Sequence, residues 1–122
     1  MQQFGHLEAK VMDVLWSTDR ALTVREVHAL LPAERQRAYT TVMTVMDNLF
    51  RKGFLDREMN GKAYRYWHVS TRAEHTAQAM EELLAASGSP KSTLLHFVEQ
   101  LGADESRELR RALDAVKDED GA

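Results

Sequence analysis

Cysteine is absent from the 122 residues, which removes disulfides, thiolate metal sites and cysteine nucleophiles together and is compatible with a reducing compartment. No apolar run approaches the roughly 18 to 20 residues that span a bilayer. The opening Met-Gln-Gln-Phe-Gly-His has neither the cationic patch nor the apolar stretch of a secretion signal. A cytoplasmic location with no membrane partner is the expectation. An excess of one charge is missing too: 16 Lys+Arg stand against 19 Asp+Glu, a formal net charge of −3. Nucleic-acid binding then has to come from how charge is distributed. The first 72 residues hold 11 Lys+Arg and 8 Asp+Glu and the remainder 5 and 11, so a mildly basic part precedes an acidic one. No Ser/His/Asp order, glycine-rich phosphate loop or metal-ligand spacing is present, so no enzyme, no cofactor and no metal is expected. The five histidines, at 6, 28, 68, 75 and 96, show no close ligand spacing.

What is present suits one compact domain, or a small domain with a helical appendage: 43% hydrophobic and 29% charged residues. Leu7, Val11, Val14 and Leu15 recur at helical spacing with Glu8, Lys10 and Asp13 opposite, predicting a helix over 6–16. Thr23 and Glu26 form a capping box before Val27, Leu30 and Leu31, so a second helix starts near Thr23 and stops near Pro32. From Ala38 to Gly53 propensity and pattern conflict. Tyr39, Thr40, Thr41, Val42, Thr44 and Val45 favour strands, whereas Val42, Val45, Met46 and Leu49 follow the helical period. Arg51, Lys52 and Gly53 are a good helix end, and a third helix is predicted.

Segments 54–59 and 63–69, joined through Asn60-Gly61, predict a hairpin whose tip and strands carry Arg57, Lys62 and Arg65. Ser70 reads as the cap of a fourth helix bearing Ala73, Ala77, Met80 and Leu84. A break over 86–92 separates it from a fifth stripe of Leu94, Val98 and Leu101. Asp104 reads as the cap of a sixth helix with Leu109, Leu113 and Val116, and Asp118 to Asp120 as a frayed, solvated tail. Trp16, Tyr66 and Trp67 read as core.

Three helices, then a hairpin, with cations at the third helix's end and on the hairpin, is the order of a winged helix-turn-helix. A helix fits the major groove while Arg57, Lys62 or Arg65 lies against phosphates. Spending poor helix formers on Thr40, Thr41 and Thr44 favours groove contact over mere surface filling. Arg37 and Arg51 are further phosphate candidates, and Tyr39 suits either a phosphate contact or packing.

Glu8-Ala-Lys-Val-Met-Asp-Val-Leu-Trp16, Thr23-Val-Arg-Glu-Val27, 38–46, Leu49-Phe-Arg-Lys-Gly-Phe-Leu55 and Ala63-Tyr-Arg-Tyr66, in that order, resemble the penicillinase repressors of BlaI and MecI type over about 7–116. The resemblance implies a mainly α fold with a small β-hairpin wing: a winged helix-turn-helix DNA-binding domain over 1–70 and a C-terminal helical dimerisation domain over 71–122. It implies a homodimeric repressor on an inverted-repeat operator, of beta-lactamase or cell-wall-stress genes. Tyr39, Thr40, Thr41, Met43 and Thr44 would then occupy the exposed start of the recognition helix, with Arg57 to Arg65 in the wing. Members are typically inactivated by a sensor-linked protease cutting at Asn-Phe. That dipeptide is absent here and His96-Phe97 is the nearest equivalent. Copper sensing through a carboxy-terminal cysteine cluster is excluded. The later apolar stripes are too thin for an independent core, so Met80, Leu84, Leu94, Phe97, Val98, Leu101, Leu109, Leu113 and Val116 are the dimerisation candidates. The alternative reading is a winged-helix module that docks protein through the hairpin and third helix without specific DNA binding.

Overall fold

The computed structural model describes residues 4–32 and 38–121, with side chains through Lys117. In chain order run α1 (His6–Trp16), β1 (Leu22–Thr23), α2 (Val24–Leu30), α3 (Tyr39–Arg51), β2 (Leu55–Asn60), β3 (Ala63–His68), α4 (Arg72–Ala85), α5 (Pro90–Glu99) and α6 (Ala103–Gly121). Two compact units divide it, one through Ala79 and one from Met80, so α4 belongs partly to each.

In the first unit the side chains set the boundaries. At α2 the Thr23 hydroxyl accepts from the Glu26 N–H at 3.1 Å while Glu26 Oε1 accepts from the Thr23 N–H at 2.9 Å, the reciprocal cap foreseen. Leu31, ahead of Pro32, leaves helical angles at ψ 147. Residues 39–51 are helical despite their strand formers, because Val42, Met46 and Leu49 are wholly buried on one side. The helix closes on Gly53 at φ 89, where the Gly53 N–H donates to the Phe50 carbonyl and the Phe54 N–H to the Leu49 carbonyl, both at 3.0 Å. That pair of bonds is a Schellman motif.

β2 and β3 pair antiparallel from Leu55↔His68 to Asn60↔Ala63, so the two loop residues are Gly61 and Lys62, one position later than the Asn60-Gly61 turn expected from sequence. Gly61 alone takes positive φ, at 70, the pattern of a turn with glycine first. β1 adds a third strand, order β1-β3-β2, that sequence reading missed because two residues show no alternation.

Val11, Met12, Leu15, Leu22, Val24, Val27, Leu31, Val42, Met46, Leu49, Leu55 and Tyr66 form the core. Trp16 packs partly against it and its indole N–H donates to the Ser70 carbonyl at 3.0 Å. Trp67 departs from the core expectation: it is 36% exposed, because strand alternation turns Tyr66 inward and its neighbours outward.

The cap of α4 is Thr71, not Ser70, through a capping box with Glu74. In the second unit Ser89 caps α5 with Pro90 at the first helical position. α6 starts at Ala103, placing Asp104 in the first turn rather than at the cap, and its backbone stays helical through the Asp118 to Asp120 run expected to fray. No described side chain from Met80 to Lys117 is buried.

Candidate nucleic-acid interface

The face of α3 opposite the core is a polar surface three turns long. Thr40, Thr44, Asn48 and Arg51 succeed one another along its middle, with Thr41 on one flank and Asp47 on the other; all but the half-buried Asp47 are exposed. Met43 adds an exposed apolar spot. The Thr44 hydroxyl donates to the Thr40 carbonyl at 3.0 Å, so toward a ligand it offers lone pairs and a methyl group. Among the described residues, the side chains of Thr40, Thr41 and Asn48 have no hydrogen-bond partner. Asn48 was missed by the sequence reading, although the helical period that found Thr40 and Thr44 places it four residues further along the same face.

Tyr39, at the start of α3, is held from α2: the Arg25 guanidinium lies 5.9 Å from its ring centroid and the His28 ring meets it edge-on at 6.2 Å. Arg25 is exposed and adds a cation at this end of the face. Arg37 lies outside the described residues.

The four basic candidates near the hairpin are not equivalent. Lys62 is exposed in the two-residue turn and makes no ion pair among the described residues. Arg51 is exposed and pairs with Asp47 at 2.8 Å across one helical turn. Arg65 pairs with Glu26 at 3.2 Å and Arg20 with the same carboxylate at 2.9 Å. The backbone N–H of Thr23 and then the Arg20 guanidinium pull the Glu26 carboxyl down to about 2. Arg57 is turned inward, with its side chain 19% exposed. Its Nη1 donates to Asp47 Oδ1 at 2.9 Å and to the Tyr66 hydroxyl at 3.2 Å, and the guanidinium sits 4.0 Å from the Phe50 ring centroid and 4.1 Å from that of Tyr64. Hydrogen bonds from Arg51 and then Arg57 hold the Asp47 carboxyl below its ordinary range. A cleft of about 350 Å³ between α3 and the hairpin is lined by Met43, Thr44, Asp47, Arg57, Tyr64 and Tyr66.

In the second unit, Met80, Leu94, Phe97, Val98, Leu113 and Val116 are 44–63% exposed, and Leu84, Leu101 and Leu109 are half-buried. Leu83 and Leu95, which the stripes did not include, are as exposed as these. The His96-Phe97 bond lies inside α5 with its backbone in helical hydrogen bonds, a poorer protease substrate than an exposed loop.

A family model described as penicillinase repressor matches residues 4–115. The transcriptional regulator BlaI of Mycobacterium tuberculosis is 47% identical over 116 residues, covering 93% of this chain and 84% of that one. The methicillin resistance regulatory protein MecI of Mammaliicoccus sciuri is 26% identical over 115 residues, covering 91% and 93%. The solution structure of the DNA-binding domain of the repressor BlaI superposes with a TM-score of 0.52 at 24% identity, covering 58% of this chain and 85% of that one. MepR, a transcription regulator of the Staphylococcus aureus multidrug efflux pump MepA, superposes with a TM-score of 0.51 at 17% identity, covering 96% and 80%. The two superpositions carry the fold, a winged helix within a mainly helical chain. The family match and the Mycobacterium relative carry the ancestry: the chain belongs to the penicillinase repressor family.

Proposed function

We propose that the chain is a transcriptional repressor that binds an inverted-repeat operator as a homodimer, with α3 in the major groove and the β2–β3 hairpin against the adjoining backbone. The observation that carries this is the outer face of α3, where three threonine hydroxyls and an amide stand unburied beside a hairpin whose tip presents an exposed lysine with no ion pair among the described residues. Thr44 offers an acceptor and a methyl, which suits a cytosine or adenine amino group or a thymine methyl. Tyr39, Thr40, Thr41 and Met43 complete the reading face, with Arg25, Arg51 and Lys62 as phosphate contacts.

The dimer is supported by the second unit. Met80, Leu94, Phe97, Val98, Leu113 and Val116 leave apolar surface open to water, and a second copy covering it reciprocally would match two-fold protein symmetry to a two-fold site. The description of the family as penicillinase repressors and the naming of the MecI relative as a methicillin resistance regulatory protein favour control of beta-lactamase or cell-wall-stress genes. Relief by a sensor-linked protease acting near His96-Phe97 would require α5 to open locally first.

Capture of genomic fragments by the purified protein, then footprinting of the strongest at two salt concentrations, tests the reading. A protected inverted repeat whose affinity falls by about 0.9 log unit per phosphate contact per decade of salt supports it. Weak, sequence-blind association overturns it and leaves a protein-docking module in its place.

A further inference from the structure

Of the three hairpin cations Lys62 stands at the tip and Arg65 turns to Glu26 on α2, while Arg57 is drawn under the wing against α3. Its guanidinium lies between the rings of Phe50, on α3, and Tyr64, on β3, at 4.0 and 4.1 Å. Nη1 reaches Asp47 on α3 at 2.9 Å and the Tyr66 hydroxyl on β3 at 3.2 Å. One planar group therefore joins the recognition helix to both strands of the hairpin. Lying against two rings while one nitrogen donates to both Asp47 and Tyr66 uses the guanidinium plane, which an ammonium lacks. Apart from this clasp, the distal half of the hairpin is exposed: Glu58, Met59, Asn60, Lys62 and Ala63 have no buried side chain. An isolated two-stranded ribbon is marginally stable in water.

We propose that Arg57 is a positioning residue for DNA binding, fixing the angle of the hairpin to α3 so that Lys62 meets a phosphate while α3 occupies the groove. This rests on the DNA-binding reading above. Arg57 itself does not contact the backbone; its contribution passes through Lys62. Asp47, which would otherwise repel phosphates at the edge of the reading face, is neutralised in the same arrangement by Arg51 and Arg57.

The test uses the full chain, a mixed-sequence 30-base-pair duplex and titrations in potassium chloride. In the parent protein, K62A should lower the slope of log affinity against log salt by about 0.9 for each subunit engaged, about 1.8 for the homodimer. In an R57K or R57Q background K62A should change the slope by less than about a third of that, although R57K keeps its charge. Additive effects, with R57K indistinguishable from the parent and R57Q lowering the slope by itself, would make Arg57 a phosphate ligand and overturn the proposal. Amide hydrogen exchange without DNA provides an independent readout. R57K and R57Q should speed exchange in β2 and β3 beyond Glu58 at least several-fold, and K62A should not. Unchanged protection in both Arg57 variants removes the clasp whatever the DNA result. A parent protein that shows no salt-dependent binding, with exchange accelerated as expected, sinks the DNA-binding reading and with it the role of Arg57 in that binding.

Discussion

Glu26 shows how much one side chain can hold. Its carboxylate accepts from the Thr23 N–H, from Arg20 and from Arg65, which ties the start of α2 to the loop before β1 and to β3. With a folded pKa of about 2 against the ordinary 4.5, the group stabilises the fold fully above pH 4.5, and that contribution is lost as pH falls toward 2. Glu26→Gln should cost about 1 kcal/mol at pH 7 through the weakened cap, measured by urea unfolding, and should flatten the stability loss between pH 5 and 2. Asn48 makes the complementary prediction about binding: Asn48→Ala should leave stability within about 0.5 kcal/mol of the parent, being a surface change. In competition binding against single-base operator variants, it should relax preference at one position per half-site, as loss of a bidentate amide contact does. The residue scale was partly legible in sequence. The Thr23–Glu26 box could be read from spacing, but the inward turn of Arg57 could not, because only the pairing of Arg57 with Tyr66 across the strands sets it under the wing.

At the scale of elements, α3 and the hairpin were both found, for different reasons. Burial of Val42, Met46 and Leu49 at helical spacing outweighed six strand-forming residues, and Gly53 marked the end. The hairpin was marked by glycine at its tip, yet its frame shifted by one residue, since the sequence does not say which two residues stand outside the ladder. β1 was illegible: Leu22 and Thr23 are a strand only because Tyr66 and Arg65 are there to pair with them. Gly61 at φ 70 and Gly53 at φ 89 have open space where a Cβ would stand, so a side chain there meets backbone strain alone. Gly61→Ala should therefore cost about 1 to 2 kcal/mol in thermal or urea unfolding. It should also weaken duplex binding in step with Lys62→Ala by displacing the turn. Thr44→Ala should reduce operator affinity more than affinity for mixed-sequence DNA; equal losses in a two-duplex titration would take Thr44 off the reading face.

The whole molecule divides its labour between a unit with a closed core and one without. All twelve buried apolar side chains belong to the first unit, through Tyr66, whereas the described part of the second exposes Leu83, Leu94, Leu95, Phe97, Val98, Leu113 and Val116. Sequence stripes located most of this surface, but periodicity gives the direction of a face and not what covers it, so Leu83 and Leu95 escaped. Val98→Asp should leave the first unit's core intact by circular dichroism while sedimentation moves from dimer to monomer; an unchanged dimer would take α5 out of the contact. The bare faces of α5 and α6 also bear on gene control. If the competent species is a pair, its concentration well below the dimer dissociation constant follows the square of the subunit concentration, so a twofold fall in subunit concentration removes about three quarters of it. Repression would then respond to the rate of subunit synthesis more steeply than a monomer's would.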